Sequence, residues 1–168
     1  MSFQGGNGIP FQWGPDGRHQ YAECFIRVTA SSSSGQYSTF QIGPVATGRI
    51  AYITIVDAVA GTAALNVYMK KLTSAFTFNA VDTTVTIPSY AQYGSYDVTS
   101  PLKFGTSTTR LSSDSVNSIK TKVAESDSSA EHAYPIIVPA GSYFIGQQDL
   151  ANSAQDFTLR WYERPVPA

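Results

Sequence analysis

Arg49–Lys71, RIAYITIVDAVAGTAALNVYMKK, is the stretch whose reading decides the fold. Ile50, Ala51, Tyr52, Ile53, Thr54, Ile55 and Val56 are mostly β-branched or aromatic, with apolar residues on both faces. That pattern predicts a strand buried on both sides. Asp57 to Thr62 then supplies an Asp and Gly61 where the chain reverses. Leu65, Val67 and Met69 alternate with Asn66, Tyr68 and Lys70, the period-two signature of a strand with one apolar face. The stretch reads as a β-hairpin whose apolar face needs a second sheet to cover it.

Towards the C-terminus, Phe76–Ile87 holds two short β segments, FTF and VTI, around Asp82-Thr83. Thr106–Glu131 is the most polar region. Val116, Ile119 and Val123 have the spacing of a short helix with Asp114 as its cap, and a strand through Ile119, Thr121 and Val123 fits nearly as well. Tyr134–Val138, the Pro139-Ala140-Gly141 turn and Ser142–Gly146 read as strand, tight turn, strand. Asp156–Arg164 is a strand with Phe157, Leu159 and Trp161 on one face and Thr158, Arg160 and Tyr162 on the other. Towards the N-terminus, Gln20–Ala30 reads as a strand, SSSSG at 31–35 as a loop, and Gln36–Gly43 as a strand ended by Gly43-Pro44. About eight strands with turn signals every ten residues or so, and hardly any helix, predict an all-β fold. Two packed antiparallel sheets, a β-sandwich or jelly roll, account for it.

Residues 1–18, MSFQGGNGIPFQWGPDGR, are too rich in Gly and Pro for regular structure and form an extended arm before a single domain at 19–168. The arm nevertheless carries Phe3, Phe11 and Trp13. Two placements account for these rings: on a neighbouring subunit, or folded back over an open edge of the same domain. A second aromatic stretch lies in Pro88–Lys103, where Tyr90, Tyr93 and Tyr96 are interleaved with Ser, Gly, Gln and Asp. Tyr with Ser and Gly is the composition of surfaces that bind by contact; tyrosines lying flat over a sheet would give the same pattern. These six aromatics are the candidate contact residues.

Composition excludes several function classes. The 168 residues suffice for one self-sufficient core without metal or disulfide. Charged residues make up 14% and the net charge is −1, so no field draws nucleic acid, and little resists self-association. The single Cys24 in ECFI reads as a small buried apolar residue. Residues 1–18 lack the basic start and hydrophobic run of a signal peptide, so none is expected; no apolar run approaches membrane-spanning length, no Asn-x-Ser/Thr occurs, and the expected compartment is a cytoplasm.

No residue cluster announces a chemistry. His19 and His132 are the only histidines, and Glu131-His132 would point to opposite faces of a strand. Gly141-Ser142-Tyr143-Phe144-Ile145-Gly146 has the wrong spacing for a nucleophile elbow. Asp57, Asp82 and Asp97 lie near turns, where Asp commonly caps backbone. Zinc, EF-hand and phosphate-loop patterns are missing. The expectation is no enzyme, no cofactor and no metal.

A resemblance adds to this reading. Asp57, Ala60-Gly61-Thr62 and Leu65-Asn66-Val67 look like a hairpin that recurs in small β-sandwich proteins of bacteriophage particles. Val138-Pro139-Ala140-Gly141-Ser142-Tyr143 is similar to a strand turn of jelly rolls, including viral capsid proteins and tumour-necrosis-factor-like domains. The terminal F-x-L-R-W strand suits the same group. The resemblance covers the central hairpin and the last third of the chain and transfers no functional residue. It implies a virion structural protein, made in the host cytoplasm: a capsid, capsid-decorating or spike-base subunit. Its expected partners are further copies of itself and other virion proteins, without nucleic acid or membrane insertion. The rival reading is a module for carbohydrate or a receptor, with Tyr90, Tyr93, Tyr96, Gln92 and Asp97 taking a glycan.

Overall fold

Strand formation follows the apolar alternation of the chain, most plainly in its last strand, where residues 155–164 alternate between buried and half-buried. The structure, a computed structural model, describes residues 22–28, 35–59, 65–86, 98–111, 118–123, 129–151 and 155–166. The arm at 1–18 lies outside them. Ten strands are described: β1 (Ala22–Val28), β2 (Tyr37–Ile42), β3 (Arg49–Val59), β4 (Leu65–Leu72), β5 (Ala80–Thr86), β6 (Pro101–Ser107), β7 (Ser118–Val123), β8 (Ser129–Val138), β9 (Tyr143–Gln148) and β10 (Gln155–Pro165). Among the described residues there is no helix, so none long enough to cross a membrane.

The strands form two antiparallel sheets, β1-β10-β3-β8 and β5-β6-β2-β9-β4-β7. With β5 and β6 set aside, the pairs β1·β10, β2·β9, β3·β8 and β4·β7 remain. First strand with last, second with next to last, and so inward: one long antiparallel ribbon rolled so that alternate pairs fall in opposite sheets. That is the jelly roll. β5 and β6 are inserted between β4 and β7 and lengthen the second sheet beyond β2.

The topology corrects the hairpin expected at 49–71. Both strands form, but β3 lies in the four-stranded sheet and β4 in the six-stranded one, so the connection crosses the sandwich instead of pairing its flanks. The turn at Pro139–Gly141 also crosses, from β8 to β9. Here the left-handed Gly141 (φ 74°) and the Ser142 N–H, which donates to the Pro139 carbonyl, set the reversal. Burial of β3 on both sides is corrected as well. Ala51, Ile53 and Val56 are buried, whereas Ile50, Tyr52 and Thr54 are half-buried. Thr54 is the extra residue of a β-bulge: Ile53 pairs with Trp161 and Ile55 with Arg160, while the Thr54 hydroxyl donates to the Arg160 carbonyl at 3.1 Å.

Further differences concern the middle of the chain. Phe76–Phe78 is not a strand, and β5 runs unbroken through Asp82-Thr83 with a register shift between Val81 and Thr83. β6 begins at Pro101, inside the stretch read as a tyrosine-rich connection. Residues 118–123 are the strand, not the helix.

Between the sheets lies the main core. Phe157, Leu159 and Trp161 of β10, with Ala51, Ile53 and Val56 of β3, meet Phe40, Ile42, Val67, Met69, Leu102 and Phe144 of the opposite layer. Phe40 and Phe157 touch edge to face across the gap, centroids 5.0 Å apart.

Candidate functional site

The two outer faces differ. On the six-stranded sheet, Tyr68 and Ile145 are covered by Phe76 and Leu111, with Leu72, Phe78 and Tyr143 alongside. Two buried amides tie this cover down. Gln41 Oε1 accepts the Phe76 N–H at 2.8 Å, and Gln147 Oε1 accepts the Leu111 N–H at 2.7 Å. Gln147 Nε2 donates to Thr39 Oγ1 and to the Thr109 carbonyl, each at 2.9 Å. The chain thus caps this face with its own loops, and Arg110 rests over Tyr37 and Tyr68.

On the four-stranded sheet the outward residues of β10 and β3 make a different surface. β10 and β3 bring Tyr162 and Tyr52 into register, and the rings stack with centroids 4.9 Å apart and planes 9° from parallel. Arg164 places its guanidinium 5.0 Å from the Tyr162 ring and 5.2 Å from the Tyr52 ring. The three centres form a nearly equilateral triangle, so the cation sits at the seam of the pair and not outside either ring. The next strand over supplies Ile137, paired with Tyr52 and 52% exposed. Ile50 lies opposite Arg164. The result is a row of Tyr162, Tyr52 and Ile137 across three strands, bordered by Arg164. Burial beside Arg164 and Tyr52 has an electrostatic consequence. Desolvation raises the Tyr162 phenol above its ordinary value, Arg164 pulls it down, and Tyr52 adds a smaller upward push.

An acid is also buried at this end of β10. Glu163 turns inward, its side chain 1% exposed, and accepts from the Ser100 N–H at 2.8 Å, the Thr99 N–H at 3.2 Å and the Thr99 hydroxyl at 2.9 Å. Arg49 lies 3.4 Å away. The carboxylate is consumed in fixing the chain just ahead of β6, immediately after the segment with Tyr90, Tyr93 and Tyr96. It anchors Thr99 and Ser100 at the entry to β6. Among the described residues no three His, Cys, Asp or Glu side chains come together as a metal site would require.

The sequence-derived contact residues Phe3, Phe11, Trp13, Tyr90, Tyr93 and Tyr96 all lie outside the described residues, as do Gln92, Asp97 and His19. Cys24 and His132 fall on β1 and β8, with only their backbone described. The Tyr52–Tyr162–Arg164 platform was not singled out. Half its signal was available in the outward alternation of Arg160, Tyr162 and Arg164. The other half was masked by the bulge at Thr54, which makes β3 look apolar on both faces. Searches against protein-family models, characterised proteins and solved structures found no match to this chain.

Proposed function

We propose that the chain is a non-enzymatic structural subunit of a virus particle, acting through protein–protein contacts. The observation that carries this reading is the outward row of Tyr162, Tyr52 and Ile137 with Arg164 on an otherwise weakly charged jelly roll. Tyr and Arg are the residue types enriched where proteins meet, and a desolvated aromatic–cation cluster is the usual form of a binding hot spot. A jelly roll is a scaffold shared by capsid subunits, lectin domains and cupins, so the fold supports the particle reading by analogy only. The chemistry of the platform narrows it. A sugar stacks on an open ring face, whereas Tyr52 and Tyr162 each turn one face to the other and share Arg164 at the seam. Such an arrangement suits side chains and backbone of a protein partner better than a pyranose ring.

The test has two parts. Light scattering on the purified protein is expected to show a closed oligomer that dissociates on Tyr52→Ala/Tyr162→Ala substitution. Immunogold labelling of source particles is expected to decorate their surface or vertices. A strictly monomeric protein together with unlabelled particles refutes the reading. Specific retention on a glycan array, lost on Tyr93→Ala, would favour the carbohydrate module in its place.

A further inference from the structure

Two loops cover the outer face of the six-stranded sheet: 73–79, between β4 and β5, and 108–111, which follows β6. Phe76 from the first and Leu111 from the second lie against Tyr68 and Ile145. The loops are also tied to each other. The Ser107 hydroxyl, at the end of β6, donates to the Thr77 carbonyl at 2.6 Å and accepts the Thr109 N–H at 3.1 Å. Asn79 Oδ1 accepts the Thr108 N–H at 2.6 Å and the Thr108 hydroxyl at 2.9 Å. Each loop therefore completes hydrogen bonds that the other begins.

What lies beneath this cover differs from what lies on the inner side of the same strands. Residues directly opposite on paired strands share a face, so Gln41 lies beside Ile145 and Gln147 beside Tyr68. Both amides are buried, and both hold the backbone of the cover: Gln41 at the Phe76 N–H, Gln147 at the Leu111 N–H and the Thr109 carbonyl. An amide loses little when water takes the place of such partners, because one hydrogen bond is exchanged for another. Lifting the cover leaves these amides in water and exposes one small apolar cluster. Parting the sheets would expose Phe40, Ile42, Met69, Phe144, Phe157 and Trp161 together. A unit with so little to lose opens before the core does.

We propose that 73–79 and 108–111 form one latch that opens as a unit while both sheets stay folded. Gln147 is its pin: fully buried on β9, it engages both Nε2 hydrogens and Oε1 and holds the chain on either side of Arg110. The ties at Ser107 and Asn79 pass the release of one loop to the other. The open form bares Tyr68 and Ile145 on the outer face of the six-stranded sheet. The Tyr52–Tyr162 platform, on the other sheet, is undisturbed, so the latch is a conformational device separate from it and independent of the assembly reading.

Native-state hydrogen exchange on the full-length chain tests it, with the Phe76 and Leu111 amides read against those within β2 and β10. Gln147→Met and Leu111→Ala are expected to speed exchange at the Phe76 N–H about tenfold or more, although neither alters Gln41, which protects it. Phe76→Ala should do the same at the Leu111 N–H. Asn79→Ala, at an exposed position, should speed both amides and serves should the buried substitutions impair folding. The β2 and β10 amides should keep their rates throughout. A change confined to 108–111 in the first two variants overturns the proposal, because the loops would then open separately. So does equal acceleration in β2 and β10, or exchange at Phe76 and Leu111 of the parent as slow as in those strands, since the cover would then yield only when the whole molecule unfolds.

Discussion

Gly146→Ala tests the packing between the layers at a single carbon. Gly146 on β9 lies inside the sandwich, opposite Met69 and Phe40 of its neighbouring strands. A Cβ built there falls within the van der Waals envelope of Phe40 Cε1 and Cζ, with Cδ1 at 3.1 Å. To restore ordinary contact the ring must retreat by about 1.5 Å. It has nowhere to go: Phe144 lies 6.0 Å away, Phe157 5.0 Å away, and Phe40 itself is fully buried. Overpacking of this kind costs about 1–3 kcal/mol. With a urea dependence of about 2 kcal/mol per M, the unfolding midpoint should fall by roughly 0.5–1.5 M. A double-mutant cycle with Phe40→Leu makes the argument specific. Phe40→Leu alone should cost about 1–2 kcal/mol for the space it leaves. In the double variant the new methyl group fills part of that space, so the combined loss should undershoot the sum by about 1 kcal/mol. Additivity, or a Gly146→Ala variant as stable as the parent, would show that the Phe40 ring does not lie over Gly146.

Leu159→Ala removes a fully buried side chain from the centre of β10 and should cost about 2–5 kcal/mol in chemical unfolding; a loss under about 0.5 kcal/mol would mean that the faces of this strand are reversed. Glu163→Gln leaves one amide oxygen to serve the Thr99 N–H, the Thr99 hydroxyl and the Ser100 N–H, and should destabilise by about 1–3 kcal/mol. Amide exchange at Thr99 and Ser100 should quicken in the same variant, and an unaltered rate there would argue against the anchoring role. Tyr162 gives a pH signature. Because its phenol is raised in the folded chain relative to 10.0 unfolded, its contribution is complete below pH 10 and is lost as pH rises through the higher folded value. Tyr162→Phe should therefore flatten the alkaline end of the stability curve relative to the parent; parallel curves would contradict the burial described here.

The fold was legible wherever one residue in two faced the core. β10 could be read residue by residue, since Phe157, Leu159 and Trp161 alternate with polar neighbours. So could the close of β2, where a left-handed Gly43 leads into a cis Gly43–Pro44 bond. What was illegible has physical causes. A bulge of one residue at Thr54 switches parity within β3, so an inward–outward strand mimics one buried on both sides. Turn chemistry marks where the chain reverses, but not whether the next strand pairs with the last or crosses to the other layer. The turn signals at Asp57–Thr62 and Pro139–Gly141 look like hairpin turns for that reason. β6 was concealed because Gly105 sits in its middle, where a Cβ would collide with the backbone of Ala80 and Val81; close approach of β5 demands the residue that weakens the strand signal. The platform was legible only in part, as Tyr52 and Tyr162 stand 110 positions apart in sequence and only strand pairing brings them together.

The placement of β10 between β1 and β3 bears on how the molecule can be made. β1, the earliest of the described strands in chain order, finds its described ladder partner in β10, the latest, so β1 must wait until residues 155–165 have been made before that pairing can form. Until residues 155–165 emerge, the four-stranded layer has a gap beside β3, and the apolar face of Ala51, Ile53 and Val56 stays unsealed. A chain halted by a stop codon before residue 155 would then be a candidate for aggregation or degradation instead of a slightly shortened subunit.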